Sequence, residues 1–167
     1  MAIDVTPGGA AADAYVSVAV ADAYAAADLG RYATAWAAAD NDTKERALKR
    51  AARDIDGAVG SSIDRWDADQ ALAFPRLLDT DGDGLPIIPR IVERAAIEQA
   101  MYVLVNADVL DDAATRRARG MSNWSEPNVS GSLADDPNEG RLSPNAQRLL
   151  SGVEYGGGAV IGWIETT

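Results

Sequence analysis

Pro89-Arg90-Ile91-Val92-Glu93-Arg94-Ala95-Ala96-Ile97-Glu98-Gln99-Ala100-Met101-Tyr102-Val103-Leu104-Val105 is the stretch that decides the fold. Proline suits the first turn of a helix, where its missing N–H costs nothing. Ile91, Val92, Ala95, Ala96, Met101, Leu104 and Val105 then recur at helical spacing and spread over a wide apolar face. The pattern predicts the longest helix of the chain, over residues 90–109, central and packed on several sides. A further helical segment is expected over 111–119.

Upstream, Asp42-Thr43-Lys44-Glu45 reads as a variant capping box, Asp42 accepting from the helix N-terminus and Glu45 reaching back. The helix that follows would bury Ala47, Leu48, Ala51, Ala52 and Ile55 and end around Gly57 and Gly60. Ser17 is a good N-cap for a first helix through Val18, Ala21, Tyr24 and Ala25, with Gly30 as its stop. Residues 32–39, which include Trp36, suit one or two helical turns. Asp67 to Ala73 is expected as a short helix, broken before Pro75 because the residue preceding proline avoids the helical region.

Downstream, Gly120 opens a Ser-, Asn-, Pro- and Gly-rich stretch expected as a long loop or arm. Ser143-Pro144 starts a short helix ending at Gly152. Gly156-Gly157-Gly158 is a hinge, and Ala159 to Ile164 is an apolar strand. The expected fold class is all-α: a small helical bundle with extended N- and C-terminal arms and a short C-terminal β-strand. Its divisions are 1–16 (an arm or irregular lead-in), 17–119 (helical core), 120–142 (extended loop) and 143–167 (short helix plus docking strand). An isolated apolar strand gains little in water. It either folds back on its own chain or adds to another protein's sheet edge, with Val160, Ile161, Trp163 and Ile164 as anchors.

The chain has 167 residues, no cysteine, no histidine and a net charge of −11. Without cysteine there is neither a disulfide framework nor a thiolate metal site. Without histidine the commonest general base and zinc ligand are missing. The expectation is therefore no catalytic residue and no cofactor. The acidic balance opposes a free-standing DNA binder, whose affinity rests on neutralising phosphates. No run approaches the roughly 18 apolar residues of a membrane span, and the N-terminus shows no basic-then-apolar leader. The expectation is a soluble protein of a reducing compartment.

Three features invite a functional reading. Asp79-Thr80-Asp81-Gly82-Asp83-Gly84 matches the opening of a calcium loop, with Asp79, Asp81 and Asp83 as candidate ligands. The bidentate acid that should close such a loop falls on Arg90, so a plain Asp/Gly turn is the competing reading. Arg46, Arg50 and Arg53 share one helix face. They form either a solvated stripe or a contact with an acidic neighbouring subunit. Arg116, Arg117 and Arg119 form the one tight basic cluster, suited to phosphate or to an acidic partner. The acidic pairs Asp111-Asp112 and Asp135-Asp136 read as solvated charge.

Ala14-Tyr15-Val16-Ser17, the stretch Ala47 to Asp56, Gln70-Ala71-Leu72-Ala73-Phe74-Pro75-Arg76 and Ile88-Pro89 occur in an order that resembles the small head-to-tail connector, or head-completion adaptor, proteins of tailed phages. Some of these carry the label DnaT-like. The resemblance covers residues 13–110. It implies a homo-oligomeric ring, a dodecamer, beneath a portal protein. A stopper or tail-completion protein would lie beyond it, and DNA would pass through the lumen without specific binding. The implied location is the virion neck, after assembly in the host cytoplasm, with no membrane partner. The alternative is a single-stranded DNA-binding protein of DnaT-like type. Against it stand the charge and only ten aromatic residues, with no run that looks like a stacking platform.

Overall fold

The computed structural model of the chain describes residues 3–60, 64–118, 123–126, 129–132, 142–151 and 153. Among them are helices α1 (Val18–Ala25), α2 (Arg31–Ala38), α3 (Asn41–Val59), α4 (Arg90–Ala118) and α5 (Pro144–Leu150), with strands β1 (Asn123–Glu126) and β2 (Val129–Ser132). The fold is an all-α bundle, as the apolar periodicity predicts. Residues 154–167, with the expected strand anchors Val160, Ile161, Trp163 and Ile164, lie outside the described residues.

Helix α4 is the centre, packed against α2, α3 and α5. Val92, Ala95, Ala96, Ile97, Ala100 and Met101 are essentially fully buried, whereas Val105 is 42% exposed and leaves the expected core. The helix runs through to Ala118, and its one break falls at Asn106 (φ −118°, ψ 18°), not near residue 110. The side chain explains the position. Asn106 Nδ2 donates to the Tyr102 carbonyl at 2.9 Å, so the amide competes for the acceptor that the helix itself would use.

Helix α3 supplies the opposing face. Ala47, Leu48, Ala51, Ala52 and Ile55 are buried, and burying Leu48 and Ile55 contributes roughly 1.5–3 kcal/mol each. Its N-cap is Asp40, not Asp42: the Asp40 carboxylate accepts from Thr43 N at 2.7 Å, and Asp42 sits in the first turn, where the helix dipole favours it. Gly57 lies inside the helix. The stop is Gly60, whose φ of 77° suits glycine.

Ser17 caps α1 as expected. Gly30 does not stop that helix, which ends at Ala25, but caps the next one. Asp22 binds these elements together. One of its oxygens accepts from Trp36 Nε1 at 2.8 Å and from Lys44 Nζ at 2.9 Å, joining α1, α2 and α3.

Residues 3–16 are irregular, and Ala12, Ala14, Tyr15 and Val16 belong to the core. The Asp4 carbonyl pins the segment by accepting backbone bonds from Asp13 (2.9 Å) and Ala14 (3.3 Å). Residues 67–73 form turns where a helix is expected. Buried Gln70 is the reason. Its Nε2 donates to the carbonyls of Leu72 (2.7 Å) and Pro75 (3.0 Å), and its Oε1 accepts from Asp67 N (3.0 Å), so a side chain satisfies the backbone in place of helical bonds. The Phe74–Pro75 peptide is cis. Within the stretch expected as a long loop, β1 and β2 pair antiparallel with Asn123 opposite Ser132. Ser143 caps α5 and Pro144 opens it, as expected.

Candidate functional site

The sequence elements that carry the resemblance converge inside the protein. Tyr15 donates its hydroxyl to Asp56 Oδ1, Ala73 N donates to Asp56 Oδ2 at 3.2 Å, and Phe74 N donates to the Tyr15 hydroxyl at 3.4 Å. The Tyr15 and Phe74 rings meet edge to face with centroids 6.0 Å apart. Burial pushes both the Tyr15 hydroxyl and the Asp56 carboxyl above their ordinary pKa values. Each polar atom of this clasp is turned to another part of the chain. These residues therefore carry the fold.

The candidate calcium ligands are likewise spent on the loop. Asp79 grips its own turn: Arg76 N and Nε reach Asp79 Oδ2 at 2.8 and 3.1 Å, and Arg76 Nη2 reaches Oδ1 at 3.2 Å. Asp81 Oδ1 accepts from the amides of Asp83 and Leu85, both at 2.9 Å. Asp83 is exposed. Among the described residues no group of three or more acidic side chains is placed to hold a metal.

The basic stripe of α3 is interleaved with acids. Lys49 pairs with Asp13, and Arg50 reaches Asp111 at 2.7 Å. Arg46 bonds to the Asp42 carbonyl at 3.3 Å and to Thr43 Oγ1 at 3.0 Å, while Arg53 is exposed. Arg116 and Arg117 fall in the last turns of α4, and Arg119 lies outside the described residues.

A different grouping forms on the face shared by α2 and α4. The Tyr32 and Tyr102 rings lie with centroids 5.6 Å apart, tilted by 58°. The Arg31 guanidinium sits 4.6 Å from the Tyr32 centroid, and its Nη2 donates to the Tyr32 hydroxyl at 2.5 Å. That hydrogen bond, with a smaller one from Asn106, holds the Tyr32 hydroxyl below its ordinary pKa against partial burial. Arg31 is exposed and both tyrosines are half-buried. Leu29, two residues before α2, is fully exposed. Sequence reading passes over this cluster because it looks for a run of aromatics, and these come from two distant helices. The available signal was Tyr102 and Val105 at i, i+3 beside a mid-helix Asn.

Residues 1–121 match the protein family described as "Putative DnaT-like ssDNA binding protein". The chain belongs to that family. No curated protein and no solved structure matches it. The match spans α1, α2, α3, the Tyr15–Asp56 clasp and the whole of α4, and it includes Arg31, Tyr32 and Tyr102. It corrects the connector reading. The elements that resemble a phage head-to-tail connector lie inside the segment matched by the DnaT-like family, and that family is not a connector family. Tyr15, Leu72, Ala73 and Phe74 among them are buried, and internal packing residues report a fold, not its partner. Among the described residues no helix is long and apolar enough to cross a membrane.

Proposed function

We propose that this chain binds single-stranded DNA and acts by holding it, with no chemical conversion. The observation that carries this reading is the DnaT-like family match over residues 1–121. Two features support it. The chain has no histidine or cysteine to serve as base, nucleophile or soft metal ligand. It also presents aromatic rings and a cation together on one face, the combination that single-strand binders use.

A net charge of −11 repels the phosphate backbone over most of the surface. Contact is then confined to a small area where stacking outweighs charge. Duplex DNA, whose bases are already stacked, gains nothing there. Fluorescence polarisation with a labelled oligothymidylate at low salt, beside the matching duplex, tests the proposal. Saturable binding to the single strand and much weaker binding to the duplex is expected. No single-strand binding, or equal binding to both, overturns it.

A further inference from the structure

We infer that the Arg31–Tyr32–Tyr102 cluster is a subsite for one unpaired nucleobase and its flanking phosphate. The inference rests on the proposed single-strand binding and gives it a place. The base would lie on the exposed guanidinium of Arg31, which itself sits over the Tyr32 ring, with the Tyr102 ring tilted beside it.

The geometry favours this face on three counts. First, the Arg31–Tyr32 pair is pre-formed. Arg31 is held 4.6 Å from the Tyr32 centroid and anchored by a 2.5 Å hydrogen bond, so little side-chain freedom is lost when a base arrives. Second, the guanidinium is planar and carries five N–H donors, which lets one group stack on a base and still offer an edge to a phosphate oxygen. Third, exposed apolar side chains stand close by along the chain. Leu29, two residues before Arg31, is fully exposed, and Val105, one turn beyond Tyr102, is 42% exposed.

The rival surface, the basic stripe of α3, is less suited. Lys49 and Arg50 are already paired with Asp13 and Asp111, and Arg46 sits among Asp40, Asp42 and Glu45. A phosphate there must displace or approach carboxylates. The two surfaces make different predictions about salt. A stack with one cation releases few counterions, so log K should fall against log salt with a slope of about −0.7. Binding through the three or four cations of α3 should give a slope of about −2 to −3.

The experiment is a polarisation titration of the full chain with labelled oligothymidylate over a salt series. Variants are Arg31→Ala, Arg31→Lys, Arg46→Ala and Arg53→Ala, each checked for unchanged thermal unfolding. Arg31→Ala should weaken binding roughly 5- to 150-fold, the worth of one base stack. Arg31→Lys keeps the charge but loses the plane, so it should recover little of that loss. Tyr32→Phe, which keeps the ring but frees the guanidinium, should show a smaller loss. The inference is overturned if wild-type chain binds but Arg31→Lys matches it. Losses in Arg46→Ala or Arg53→Ala equal to that in Arg31→Ala, or a slope near −3, also overturn it. Those results leave single-strand binding standing, whereas a wild-type chain that does not bind removes the function and the subsite together.

Discussion

Gln99 accepts the backbone amide of Ser143 at 2.7 Å while donating to Asp54 Oδ2 at 2.9 Å. A single fully buried amide on α4 thus joins α3 to the N-cap of α5, which lies beyond the segment matched by the family. Gln99→Leu preserves the volume but takes away the acceptor of the buried Ser143 amide and one donor to Asp54. We expect a loss of roughly 1–3 kcal/mol, the cost of leaving buried polar groups unpaired. Urea unfolding followed by tryptophan fluorescence measures it. A midpoint equal to wild type would mean that α5 does not depend on this bond.

Tyr15 offers a parallel test two residues further along α3, at Asp56. Tyr15→Phe keeps the edge-on ring contact with Phe74 and removes only the hydroxyl. Asp56 then loses a donor and Phe74 N loses its acceptor. The expected cost is again about 1–3 kcal/mol with an unchanged denaturant slope. A loss within about 0.5 kcal/mol, the range of ordinary surface changes, would show the clasp to be dispensable.

Glycine positions give a paired test. Gly8 has φ +70°, and a Cβ there would come 3.1 Å from Trp66 Cδ1. Gly8→Ala meets both the left-handed penalty of about 1–2 kcal/mol and a crowded ring. At Gly82 a Cβ would meet nothing within 4 Å, and φ is not positive. Gly82→Ala should therefore stay within about 0.5 kcal/mol of wild type. Thermal unfolding of the two variants side by side checks the contrast.

The bundle itself was legible because α3 and α4 carry apolar residues at helical spacing over long stretches. Periodicity could not say which stripe of α4 is covered, so Val105 reads as core and proves exposed. Caps were harder where two acids compete, as Asp40 and Asp42 do, because both can accept from a helix N-terminus. Residues 67–73 read as helix because the pattern ignores what a buried Gln70 can do for three backbone groups at once. The candidate site was the least legible part. Tyr32 and Tyr102 meet only after α2 packs on α4, and no local pattern announces that contact.

Two hydrogen-bonded acids, Asp22 and Asp56, make the pH response a sharper probe of the fold than any single stability value. At Asp22, burial works against the charge, but hydrogen bonds from Lys44 and Trp36 and the Lys44 charge hold its pKa below 3.8. The unfolded chain therefore takes up the proton first. The contribution of Asp22 is present above pH 3.8 and is lost as pH falls through the lower folded value. Asp56 has the opposite sign: burial raises its pKa above 3.8, so its contribution is present in acid and lost as pH rises through the folded value. Asp22→Asn should accordingly flatten the decline in urea midpoint on the way from neutral pH to about pH 3, and Asp56→Asn should steepen it. Parallel curves for the two variants would mean that neither carboxylate sits in the surroundings described.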